Sequence, residues 1–132
     1  GVYRVPAGYL QSQLNQTNGE KLQWHLFPRL ATVKRNSLLG ALSATLHFPD
    51  YFGHNWDAAW DCLSEQLWPE GQQQIVHLCF DNDTELAEPD LHTFIELMEE
   101  ACQHWAAQKM ACQVLIETDR QDSQTLNALK SL

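Results

Sequence analysis

Asp57 and Asp61 are the residues best placed to do chemistry in this chain, and they come with two tryptophans. The run is Phe48-Pro49-Asp50-Tyr51-Phe52-Gly53-His54-Asn55-Trp56-Asp57-Ala58-Ala59-Trp60-Asp61-Cys62-Leu63. On a helix the two aspartates, four apart, are neighbours on one face, and Trp56 and Trp60 form a second stripe beside them. Like charges at that spacing cost about 0.2–0.5 kcal/mol. Two carboxylates beside two aromatic rings, with no cation in sequence reach, suit a surface that meets something basic. The same pattern also fits a helix whose tryptophans are core residues and whose aspartates only solubilise it. Residue chemistry alone leaves both readings open.

Catalytic readings of the same residues are weaker. A general acid/base pair needs a nucleophile or oxyanion donors nearby, and an exposed helix face is a poor place to tune a pKa. Cys62 is expected to face inward with Leu63, which makes it a poor nucleophile. None of the six histidines falls in an H-x-x-x-H or H-x-H pattern, so no metal site is expected. There is no G-x-G-x-x-G, P-loop or G-x-S-x-G motif. The expectation is a protein that is not an enzyme, with no catalytic residue and no cofactor.

The elements that must position these side chains are legible around them. Pro49 keeps Phe48 out of the α region, so the preceding helix should end near His47. Gly53 supplies a position where φ > 0 is cheap. Asn55 is a good N-cap, with Trp56 as first helical residue and Asp57 in the dipole-favoured first turn. Ala59, Cys62 and Leu63 make the inward face, and the helix runs to Gln66 or Leu67.

Elsewhere, Gly1 to Val5 reads as a short strand ended by Pro6, and Ala7 to Gln16 as a helix. Asn18-Gly19 marks a turn. Lys21 to Phe27 alternates, with Leu22, Trp24 and Leu26 on one side of a half-buried strand. Ala31 to Asn36 reads as a polar connector, and Ser37 begins a helix that stops before Pro49. Pro69-Glu70-Gly71 is a loop and Gln74 to Phe80 a central strand, closed by Asp81-Asn82-Asp83. Asp90 can cap a long helix over Leu91 to Gln108, Cys112 to Glu117 is a final strand, and Asp119 to Leu132 is a short helix or frayed tail. Strands separated by helices predict an α/β fold with a small, mostly parallel sheet packed with helices.

Composition adds bounds. At 132 residues, 44% of them apolar, the chain is expected to form one domain over 1–132 with a real core. No apolar run nears a membrane span, and no basic-then-apolar segment marks a secretory signal. The cysteines, Cys62, Cys79, Cys102 and Cys112, form no C-x-x-C pair and sit in apolar segments, which fits free thiols in a reducing, cytoplasmic compartment. Net charge is −9, and no Lys or Arg lies between Asn36 and Gln108, where thirteen of the seventeen acids fall. Such a field repels nucleic acid and speeds encounter with a basic partner.

The Phe48–Leu63 run resembles the barstar family, intracellular inhibitors of secreted bacterial ribonucleases. It carries Pro49, Asp50, Tyr51, Phe52, Gly53, Asn55, Asp57, Ala58, Asp61, Cys62 and Leu63 at the family's spacing, with Trp60 just before Asp61. The resemblance implies a barstar-like α/β domain to which this chain adds an N-terminal strand and helix. It implies a ribonuclease inhibitor, or immunity protein, with Asp61 as the carboxylate that enters the nuclease phosphate site and Asp57 as its acidic neighbour. Tyr51 and Trp60 match aromatic contacts, and Gly53, His54 and Asn55 match the adjoining turn. Trp56 replaces an aliphatic residue common there, and Glu100 aligns loosely with a further acidic contact. The expected partner is a basic secreted ribonuclease or related toxin. The alternative is an acidic binding module for a basic toxin or regulator that is not a ribonuclease. A monomer is expected, with self-association through the aromatic patch as the other possibility.

Overall fold

The two longest strands, Gln73–Cys79 and Ala111–Glu117, lie adjacent and parallel and set the rest of the fold. The computed structural model describes residues 1–16 and 21–132, so the turn expected at Asn18-Gly19 lies outside the described residues. In chain order the elements are β1 (Val2–Val5), α1 (Tyr9–Leu14), β2 (Leu22–Leu26), β3 (Thr32–Val33), α2 (Arg35–Thr45), α3 (Trp56–Glu65) and β4 (Gln73–Cys79). There follow β5 (Glu85–Leu86), α4 (Glu88–Ala107), β6 (Ala111–Glu117), α5 (Gln124–Asn127) and β7 (Lys130–Ser131). The main sheet has the order β2-β4-β6-β1-β7 and every pairing in it is parallel. The α/β architecture with a parallel, helix-packed sheet is thus as expected.

Register decides which residues meet which layer. Val76 lies opposite Val114 and Leu78 opposite Ile116, and these four point into the main core with Val2. Helix α4 closes that core with Leu91, Phe94, Ile95, Met98, Ala101, Cys102 and Trp105, a stripe at i, i+3, i+4 and i+7. The opposite sheet face buries Val5, Ile75 and Leu115 under Tyr3, Tyr9, Leu22 and Trp24, which gives the N-terminal strand and helix their place. Leu26 shares that face but stays 47% exposed, because β2 is an edge strand.

Several boundaries move for physical reasons. Helix α1 is shorter than expected, and its Leu10 and Gly8 N–H groups donate to the Glu117 carboxylate at 2.8 and 3.1 Å. The expected connector over Ala31–Asn36 contains β3, which pairs with β5 and buries Val33. Helix α2 starts two residues before Ser37, whose hydroxyl instead accepts from the Lys34 N–H at 2.9 Å. Helix α4 begins at Glu88, with Pro89 in its first turn, so Asp90 lies inside the helix. Its carboxylate accepts from the Arg35 N–H at 2.9 Å and caps α2 instead. Helix α2 ends at Thr45 on a left-handed His47 (φ 56), with the Phe48 N–H returning to Ser43 O at 3.0 Å. The C-terminal tail is not frayed, since β7 pairs with β1 and Leu126 of α5 is fully buried. All four cysteines are free thiols. Among the described residues no helix is long and apolar enough to cross a membrane.

Candidate functional site

The turn before α3 is held from both ends. The Phe52 N–H returns to Pro49 O at 3.0 Å, and Phe52 is buried against Leu39 and Ala59 with Phe48 edge-on at 5.1 Å. That inward anchor leaves its neighbour Tyr51 80% exposed. The left-handed position of the turn is His54 (φ 51), its ring tilted at 47° to Phe52 with centroids 4.8 Å apart, rather than the expected Gly53. Asn55 is extended and its Oδ1 accepts from the Ala58 N–H at 2.8 Å, the expected N-cap. Its amide also donates to Gly53 O at 3.3 Å, so this side chain is occupied by the turn it stabilises.

Helix α3 presents three kinds of side chain. Ala59 and Leu63 are fully buried. Trp56 and Trp60 are half-buried on the rim of the core, and Asp57 and Asp61 are exposed. The helix ends at Glu65, one or two residues earlier than expected. Beside it runs α4, and between the two helices lies a groove of about 480 Å³ lined by Trp56, Asp57, Trp60, Asp61, Thr93, Glu96, Leu97 and Glu100. The tryptophans and Leu97 supply apolar surface, and four carboxylates converge on it. Glu100, which sequence places only by loose alignment, is brought opposite Asp57 and Asp61.

Asp61 also lines a second depression of about 380 Å³ on the other flank of α3, with Tyr51, Gly53, Cys62 and Glu65. It therefore stands on a ridge between two hollows. Of the expected site residues, Trp56, Asp57, Trp60, Asp61 and Glu100 share the groove, Tyr51 and Gly53 lie across the ridge, and Asn55 and His54 build the turn.

Among the described residues Asp57, Asp61 and Glu100 have no cation within ion-pair distance, while Glu96 meets His92 at 3.0 Å. No Lys or Arg lies in the sequence interval from Asn36 to Gln108 that carries them. Partial burial, then the Glu65 and Asp61 carboxylates, push the Cys62 thiol up, away from the thiolate a nucleophile needs. Among the described residues no cluster of three or more His, Cys, Asp or Glu is arranged to hold a metal ion.

Thr93, Glu96 and Leu97 escaped sequence reasoning, although with Glu100 they sit at i, i+3, i+4 and i+7, a single helical face. That spacing was a usable signal. His104 was also missed. Its ring meets Trp60 edge-on at 5.6 Å, and its Nε2 lies 3.0 Å from Ser64 O. Only its place one turn after Glu100 hinted at this.

The family model described as Barstar (barnase inhibitor) matches residues 30–117, two-thirds of the chain. The match runs from before β3 through β6, so it includes the turn and both walls of the groove and leaves β1, α1, β2, α5 and β7 outside. No curated protein matches the chain.

Proposed function

The chain belongs to the barstar family, and from that premise we propose that it inhibits a ribonuclease by occupying the enzyme's active site with α3 and its preceding turn. A site that cleaves RNA must hold phosphate, so it is lined with Arg, Lys and His. A carboxylate on a rigid helix can take the place of that phosphate through charge-assisted hydrogen bonds. Asp61, on the ridge, is the group that enters. Asp57, Glu96 and Glu100 meet cations around it, and Tyr51, Trp56 and Trp60 cover apolar surface. Gly53, His54 and Asn55 contribute the backbone of the turn. The partner is a basic ribonuclease destined for secretion, restrained in the cytoplasm by this protein. Inhibition is by blockade, so it requires no cofactor.

The observation that carries this reading is the convergence of four carboxylates on one tryptophan-lined groove that has no Lys or Arg. An isolated protein gains nothing from that arrangement, whereas a cationic partner relieves it. The test is a capture experiment with immobilised wild type and Asp61→Ala side by side, on lysate and secreted protein from the source cells. A basic protein retained by wild type only, with RNA-cleaving activity that returns on release, is the expected result. A retained partner without nuclease activity moves the protein to the class of acidic modules for other basic proteins.

A further inference from the structure

Tyr51 and Leu67 are the two most exposed large apolar side chains among the described residues, at 80% and 79%. Each sits beside a buried aromatic that fixes the chain. Phe52 packs on Leu39 and Ala59, and Trp68 lies edge-on to Trp105 at 5.5 Å while its backbone N–H donates to Met110 Sδ at 3.3 Å. Single exposed apolar side chains are ordinary, but these two line one hollow of about 380 Å³ with Phe48, Pro49, Cys62 and Glu65. Tyr51, Cys62 and Glu65 also line the depression beside Asp61, so the two hollows adjoin along one flank of α3.

Asp61 and Glu65 stand one turn apart on α3, and among the described residues neither has a cation within ion-pair distance. Like charges at that spacing are unfavourable in the free protein. We infer that the Tyr51–Leu67 hollow receives an aliphatic or aromatic side chain of the same basic partner, flanked in that partner by Arg or Lys that meet Asp61 and Glu65. The inference rests on reading α3 and its preceding turn as the partner-binding surface, and it adds Leu67 to that surface. A purely cationic partner would leave Tyr51 and Leu67 in water. A purely apolar one would bury Asp61 and Glu65 without counter-charges. With both kinds of group present, the carboxylates steer and orient the partner, and the apolar side chain removes area from water on both sides and slows dissociation.

The test uses two N-acetylated, C-amidated peptides of equal charge, Arg-Arg-Phe-Arg-Arg and the same peptide with Ser in place of Phe. Each is titrated at low salt into isotope-labelled wild type, Leu67→Ser and Asp61→Ala, with amide shifts read by NMR. The Phe peptide should bind wild type about three- to tenfold more tightly than the Ser peptide and shift the amides around Tyr51 and Leu67. Leu67→Ser should abolish that advantage and leave the Ser peptide's affinity unchanged; Leu67 is exposed, so the variant should fold. Asp61→Ala should weaken both peptides alike. Equal affinity of the two peptides for wild type, or an advantage that survives Leu67→Ser, overturns the inference while an Asp61 effect leaves the binding surface standing. Failure of both peptides to bind wild type, or binding indifferent to Asp61→Ala, overturns that surface and the inference with it. A wild-type dimer that Leu67→Ser dissociates gives the hollow to a second copy and likewise overturns the inference.

Discussion

The indole N–H of Trp105 on α4 donates to the carbonyl of Leu63 on α3 at 2.9 Å, in a position where Trp105 is fully buried. The two walls of the acidic groove are thus joined by a hydrogen bond inside the core, and not only by the contact of their apolar faces. A fixed groove matters for a surface that acts by shape and charge, because side chains ordered before binding lose less entropy on association. Trp105→Phe should cost about 1–3 kcal/mol of stability, since part of the ring volume is lost and the Leu63 carbonyl is left with the Gln66 N–H alone. Urea unfolding of the two proteins checks this. An unchanged midpoint would mean that the bond contributes nothing net.

The Glu117 carboxylate ties three elements together. It accepts from the Leu10 and Gly8 N–H groups at the start of α1 and meets His77 of β4 at 3.0 Å. Burial pushes this carboxyl up, but the bonds from Leu10, His77 and Gly8 outweigh burial and hold it below the ordinary glutamate range. A depressed carboxylate contributes stability that is fully present above its unfolded value, about 4.3, and is lost as pH falls through the lower folded value. Glu117→Gln should therefore lower the melting temperature at pH 7, with the gap to wild type closing as pH drops below about 4. A gap that stays constant to pH 2.5 would contradict the assignment.

Gly40 lies inside α2, and a Cβ built there meets no atom within 4 Å. Gly40→Ala should stabilise the protein by about 0.5–1 kcal/mol through reduced backbone entropy in the unfolded chain. Thermal unfolding would record this as a rise in the midpoint, and a fall would mean that the helix has less room than the backbone suggests.

If the acidic surface steers a basic partner, association should slow steeply as salt rises, while dissociation changes less. Stopped-flow mixing with the captured partner from low to about 0.5 M salt measures both rates. An association rate independent of salt removes steering from the account.

What sequence revealed and what it hid divide along a physical line. Asn55 as N-cap was legible because a cap is a contact between residues three apart. The β-rich runs of β4 and β6 and the apolar stripe of α4 were legible because they too are local features of the chain. Asp90 looked like a cap for its own helix, yet it caps α2, because a side chain satisfies whichever orphan N–H the tertiary fold brings near. The two-residue strands β3 and β5 have too little length for a periodic signal and exist through each other. In the site, Asp57 and Asp61 declared themselves by type and spacing. Glu96 and Leu97 became relevant only once α4 lay against α3, and His54 took the left-handed position that Gly53 invited.

Calorimetric titration of the captured ribonuclease with wild type and Asp61→Ala tests the central claim most directly. Asp61 is exposed and has no ion-pair partner among the described residues, so the variant should fold and melt like wild type. Its affinity should fall by about 2–5 kcal/mol, because the partner's cations lose the carboxylate that replaces phosphate. A folded Asp61→Ala protein that binds and inhibits the ribonuclease as tightly as wild type would contradict the account.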